Sequence, residues 1–66
     1  MDIKQLLKVL SVNNVPISLV ADKLKCSETD VLKKMVYDEF NNKDIKTISD
    51  ILNLSGQDIY DIFFAH

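Results

Sequence analysis

Residues 16–35 constrain the chain most: Pro-Ile-Ser-Leu-Val-Ala-Asp-Lys-Leu-Lys-Cys-Ser-Glu-Thr-Asp-Val-Leu-Lys-Lys-Met. Ile17, Val20, Ala21 and Leu24 recur at helical spacing and make a one-sided apolar stripe. Ser27 then offers a hydroxyl cap, and Asp30 three residues on completes a capping box for a second helix. That helix is expected to bury Val31, Leu32 and Met35. Lys25-Cys26 leaves room for only a tight turn between the two. Helices that cross sharply over a short turn need a small side chain at the crossing, and Ala21 supplies it.

The flanks supply three more helices. Ile3, Leu6, Leu7 and Leu10 fall at i, i+3, i+4 and i+7 and predict a helix over residues 2–13, with Val9 at the margin of its apolar face. Asn13-Asn14 ends it, because both tolerate left-handed backbone. Val15 is biased to extended geometry by the proline after it, and Pro16 stands at a favoured helix start. The central pair covers roughly 17–24 and 28–37. Residues 38–43 form a polar loop in which Phe40 is the anchor to the core. A fourth helix over about 43–53 aligns Ile45, Ile48, Ile51 and Leu52, with Asn41 or Asn42 as its cap. Ser55 caps a fifth helix with Asp58 in the box position, and Ile59, Ile62 and Phe63 form its stripe. The expectation is an all-α, compact five-helix domain over residues 1–66, with a helix-turn-helix unit at about 16–36.

Composition narrows the function classes. A 66-residue chain with 47% apolar residues, one Gly and one Pro reads as one ordered domain rather than a disordered segment. No apolar run approaches the roughly 20 residues of a membrane span, and no signal-peptide pattern opens the chain, so a cytoplasmic location in a bacterial host cell is expected, with no membrane partner. Cys26 alone makes no internal disulfide, and with the terminal His66, expected to fray, it falls short of a four-ligand zinc site. No Ser–His–Asp set, phosphate loop or carboxylate pair in a cleft is visible, so neither catalysis, nor a cofactor, nor a small-molecule substrate is expected.

Charge argues in two directions. Eight lysines, no arginine and ten acidic residues give net −2, whereas nucleic-acid-binding domains are usually basic. Arginine is also the preferred bidentate reader of guanine. Yet Lys23, Lys25, Lys33, Lys34, Lys43 and Lys46 gather in and just after the central helix pair.

Five short helices, the second and third forming a helix-turn-helix, resemble the lambda-repressor and Cro-like family, also called the XRE family. The resemblance spans nearly the whole chain. It rests on Val20-Ala21-Asp22-Lys23-Leu24, on Cys26-Ser27-Glu28-Thr29 opening the third helix, and on Val31 behind it. The closing Ile48-Ser49-Asp50-Ile51-Leu52-Asn53-Leu54-Ser55, with Asp58-Ile59 and Ile62-Phe63-Phe64-Ala65, is similar to small Cro-like regulators of phages and prophages of Gram-positive bacteria. It implies a transcriptional regulator that binds double-stranded operator DNA, with the third helix in the major groove. The implied DNA- or partner-facing residues are Ser27, Glu28, Thr29, Leu32, Lys33, Lys34, Asn42 and Lys43. Tyr60 and Phe64 lie off the core stripe and are candidates for a homodimer or partner contact.

Departures from the family pattern open a second reading. Ile17 stands where many members carry Gln, Lys25 where many carry Gly, and Glu28 where a hydrogen-bond donor is common. Lys34 occupies a position often filled by a core residue, with Met35 free to take over that packing. A carboxylate about 6 Å from a phosphate, at an effective dielectric of about 20, costs roughly 2–3 kcal/mol before salt screening. Glu28 and Asp30 therefore also suit a protein-binding modulator, an antirepressor that pairs an acidic face with a repressor's basic DNA-binding domain. More remotely, Val20 through Met35 is similar to small N-terminal modules of bacterial translation initiation factor two.

Overall fold

The structure, a computed structural model, describes residues 1–65. His66, expected to fray, lies outside them. The fold is all-α. Its elements are α1 (Ile3–Val12), α2 (Ile17–Leu24), α3 (Glu28–Val36), α4 (Asn42–Leu52) and α5 (Gly56–Ile59), the last continued by a π-helical turn, Tyr60–Phe64.

Helix starts follow local side-chain chemistry. The Asp2 carboxylate accepts the Gln5 N–H and caps α1. Three consecutive capping boxes follow, Ser27 with Asp30, Asn41 with Asp44 and Ser55 with Asp58, each using aspartate to accept the cap residue's own N–H. Asn41 rather than Asn42 is the cap of α4, which therefore starts one residue earlier than the apolar spacing suggests.

Helix ends share a second device. Val15, Cys26, Glu39 and Leu54 each donate their N–H to a carbonyl five residues back, which closes the last turn over a left-handed residue. Those left-handed residues are Asn14, Lys25, Asp38 and Asn53, with φ of 55°, 59°, 53° and 54°. Glycine is the usual occupant of such a position, but the chain's one glycine, Gly56, sits at the start of α5. Asn and Asp tolerate the conformation; Lys25 has no such excuse.

Each of the five helical units places two apolar side chains in the centre. Leu6 and Leu10 come from α1, Val20 and Ala21 from α2, Val31 and Met35 from α3, Ile48 and Leu52 from α4, and Ile62 and Phe63 from the closing turn. No helix is therefore a dispensable addition to a smaller core. Ala21 is buried on α2, which packs against both α3 and α4, as expected for a crossing residue. Met35 takes up the packing next to Lys34. Phe40 does anchor its loop: its ring meets Phe63 edge-on.

Two apolar expectations need correction. Leu32 is half exposed rather than buried, and so is Leu7. Each lies next to a fully buried neighbour, Val31 and Leu6, and successive helical residues point about 100° apart. The core side of α3 is filled by Val31 and Met35 and that of α1 by Leu6 and Leu10, so the flanking leucines face outward.

The closing helix also differs from the regular α-helix expected. Ala65 donates to the Tyr60 carbonyl at 2.7 Å, five residues back, and the Ile62 carbonyl accepts the Asp2 N–H at 2.7 Å. Widening the turn reduces the angle between successive side chains, which lets the adjacent Ile62 and Phe63 both enter the core. Tyr60 and Phe64 remain exposed, as their spacing suggested. Among the described residues no helix is long and apolar enough to cross a membrane.

Candidate nucleic-acid interface

The expected interface residues divide into three groups. Ser27, Glu28 and Thr29 form the exposed N-terminal rim of α3, and Leu32 and Lys33 continue its outward face. Asn42 and Lys43 are exposed on the first turn of α4. Lys34 stands apart, because its charge is already engaged inside the protein.

Asp30 is less of an obstacle to an anionic partner than its position in the sequence suggests. Its carboxylate turns back onto the Ser27 N–H at 3.4 Å while the Asp30 N–H donates to the Ser27 hydroxyl at 3.1 Å. It also lies in the positive field of the helix N-terminus. Glu28 has no ion-pair partner among the described residues and is exposed, so it carries the unbalanced negative charge on this rim.

The lysines sort by partner. Lys46 lies 3.5 Å from Asp50, one turn along α4, and both are solvent-exposed. Such a pair is worth little to stability, but it ties Lys46 to a local counter-charge. Lys34 Nζ donates to Asp44 Oδ2 at 2.9 Å. That hydrogen bond, against an opposing effect of burial, raises the Lys34 ammonium above the ordinary lysine value of 10.5. Lys34, expected on the DNA- or partner-facing surface, thus joins α3 to α4 while its side chain stays 32% exposed at the groove along α3. Lys23, Lys25, Lys33 and Lys43 have no carboxylate partner among the described residues.

Three of those four share one groove. Lys23 and Lys25, at the end of α2, line it from one side, and Lys43 and Thr47, on α4, line it from the other. Lys33 borders another groove, along α3, whose lining mixes charges: Lys33 and Lys34 with Asp30 and Glu39, beside Cys26 and Tyr37. Cys26 is half-buried in the turn between α2 and α3. The left-handed backbone at Lys25 is what swings the chain out of α2, and it places an ammonium where a glycine would place none.

Asp44 is the residue that sequence reading missed. It is buried, and one carboxylate oxygen accepts both the Asn41 N–H at 3.2 Å and the Lys34 ammonium at 2.9 Å. Its signal was present in the Asn-x-x-Asp spacing, the same spacing as Ser27 to Asp30. The bond to Lys34, ten residues away and on another helix, had no local signal.

The chain matches no protein-family model, no curated protein and no solved structure.

Proposed function

We propose that the chain is a small Cro-like transcriptional regulator that binds double-stranded operator DNA through α3. The observation that carries this reading is the grouping of cations: Lys23, Lys25 and Lys43 around one groove, and Lys33 beside it on α3, all without a carboxylate partner among the described residues. Cations at the end of α2, on the first turn of α4 and on the outer face of α3 suit contact with the phosphate backbone beside a major groove. On α3, Thr29 offers a methyl or hydroxyl to a base edge, and Lys33 offers a donor to guanine. Repression then follows from occlusion of polymerase or from competition with another repressor. Tyr60 and Phe64, both exposed, are the proposed homodimer contact.

A second reading has its own support. Leu32 and Val36 stand one turn apart on α3 and are 49% and 66% exposed. An apolar row beside Glu28 suits a protein surface, and the chain's net charge of −2 suits a basic one. In this reading the chain is an antirepressor that covers a repressor's DNA-binding domain.

Titration of labelled promoter DNA from the chain's own locus, at low and moderate salt, separates the two. Saturable, salt-dependent binding that Lys33→Ala and Thr29→Ala abolish supports the regulator. Absence of binding at low salt rejects it, and co-purification with the neighbouring repressor then tests the antirepressor.

A further inference from the structure

We infer that Lys34 is a positioning residue that latches α3 to the first turn of α4, and that it does not itself contact phosphate. This inference rests on the DNA-binding reading above and assigns roles within the same surface. The geometry is specific. Lys34 Nζ to Asp44 Oδ2, at 2.9 Å, is the one hydrogen bond that joins α3 to α4 among the described residues. The acceptor oxygen is the one that takes the Asn41 N–H, so a single atom holds both the α4 cap and the α3 lysine. Asp44 is rigid because it is buried and also donates its own N–H to Asn41 Oδ1 at 2.8 Å.

The latch lies between the two grooves. Lys34 borders the one along α3, with Lys33, and Asp44 borders the other, with Lys23, Lys25 and Lys43. The contact therefore ties together the edges of the two grooves, whose helices are otherwise placed by packing on α2 and the core. As a pair it adds no net charge, so the cations that face a polyanion are Lys33 on one side and Lys23, Lys25 and Lys43 on the other. The hydrogen bond to Asp44 is also the main cause of the raised Lys34 ammonium.

Salt dependence distinguishes a latch from a contact. Each lost phosphate contact flattens the plot of log affinity against log salt by about 0.9. With labelled promoter duplex from the chain's own locus, Lys43→Gln is expected to flatten the slope by about that amount. The double variant Lys34→Gln/Asp44→Asn, which removes the pair with no change in net charge, is expected to lower affinity at every salt concentration and leave the slope unchanged, and Lys34→Arg, which keeps a donor for Asp44, to retain wild-type affinity. Asp44→Asn frees Lys34 toward the grooves and is expected to steepen the slope by about 0.9. A flatter slope for the double variant, matching Lys43→Gln, overturns the inference.

A DNA-free measurement keeps the two questions apart. Side-chain nitrogen NMR should show Lys34 Nζ titrating above the ordinary lysine value of 10.5 in the wild type and falling back toward it in Asp44→Asn. Titration of Lys34 at the ordinary lysine value in the wild type, unchanged in Asp44→Asn, overturns the latch whether or not DNA binds. If the wild type binds no DNA while Lys34 still titrates high, the latch stands and the DNA reading fails.

Discussion

Phe40 meets Phe63 edge-on, with ring centroids 6.2 Å apart and planes at 88°. The loop after α3 is thereby pinned to the closing turn, an arrangement worth about 0.5–1.5 kcal/mol beyond the area it buries. Phe40→Leu keeps much of the apolar volume and removes the ring pair. It should cost about 1–2 kcal/mol and lower the melting temperature by roughly 4–8 °C per kcal/mol lost in a domain this small. Thermal unfolding followed by circular dichroism measures it, and an unchanged midpoint would show that the loop is held by other contacts.

Lys25 at φ 59° sets a trade between stability and binding. Lys25→Gly removes a side chain from left-handed backbone and should stabilise the fold by about 1 kcal/mol in urea unfolding. The same change takes a cation from the groove shared with Lys23 and Lys43, so DNA affinity should fall and the salt slope should flatten by about 0.9. Loss of both stability and affinity would contradict the strain argument.

The Lys34–Asp44 pair should give stability a dependence on alkaline pH. The folded-state value of Lys34 is raised above 10.5, so its contribution is fully present below the ordinary lysine range. It is lost as pH rises through the raised folded value. Wild type and Lys34→Met should therefore differ most in urea unfolding well below that range, and the difference should shrink above it. Parallel curves across the whole range would show that the pair adds nothing in solution.

Glu28 is where the two functional readings diverge most cleanly. For DNA, Glu28→Gln removes an unfavourable interaction of about 2–3 kcal/mol before screening, which leaves an expected gain in affinity of roughly threefold to tenfold at moderate salt. For a basic repressor domain the same substitution should weaken binding. Fluorescence anisotropy with the promoter duplex, and calorimetry with the repressor, read the two cases directly.

Much of the fold was legible because its signals are local. Ser27 with Asp30 and Ser55 with Asp58 marked two helix starts within four residues each, and Asn13-Asn14 marked an end. The i, i+3, i+4 stripes picked out most of the core. They also admitted Leu7 and Leu32, because spacing alone does not say how wide a face the rest of the fold will cover. The π-turn at Tyr60–Phe64 was not legible, since the residues that make it useful include Asp2, sixty residues away in the chain. The interface divided in the same way. Exposure of Ser27, Glu28, Thr29 and Lys33 follows from their place on α3. The withdrawal of Lys34 and the meeting of Lys43 with Lys23 and Lys25 depend on how α2 and α4 pack.

The bond from the Asp2 N–H to the Ile62 carbonyl bears on the order in which the fold completes. α1 is synthesised before α2, α3 and α4, yet it packs against the closing turn, whose Ile62 and Phe63 follow them in the chain. During synthesis Leu6 and Leu10 must wait, uncovered on that side, while α2, α3 and α4 assemble behind them. The helices that line the two grooves can thus gather before α1 is sealed.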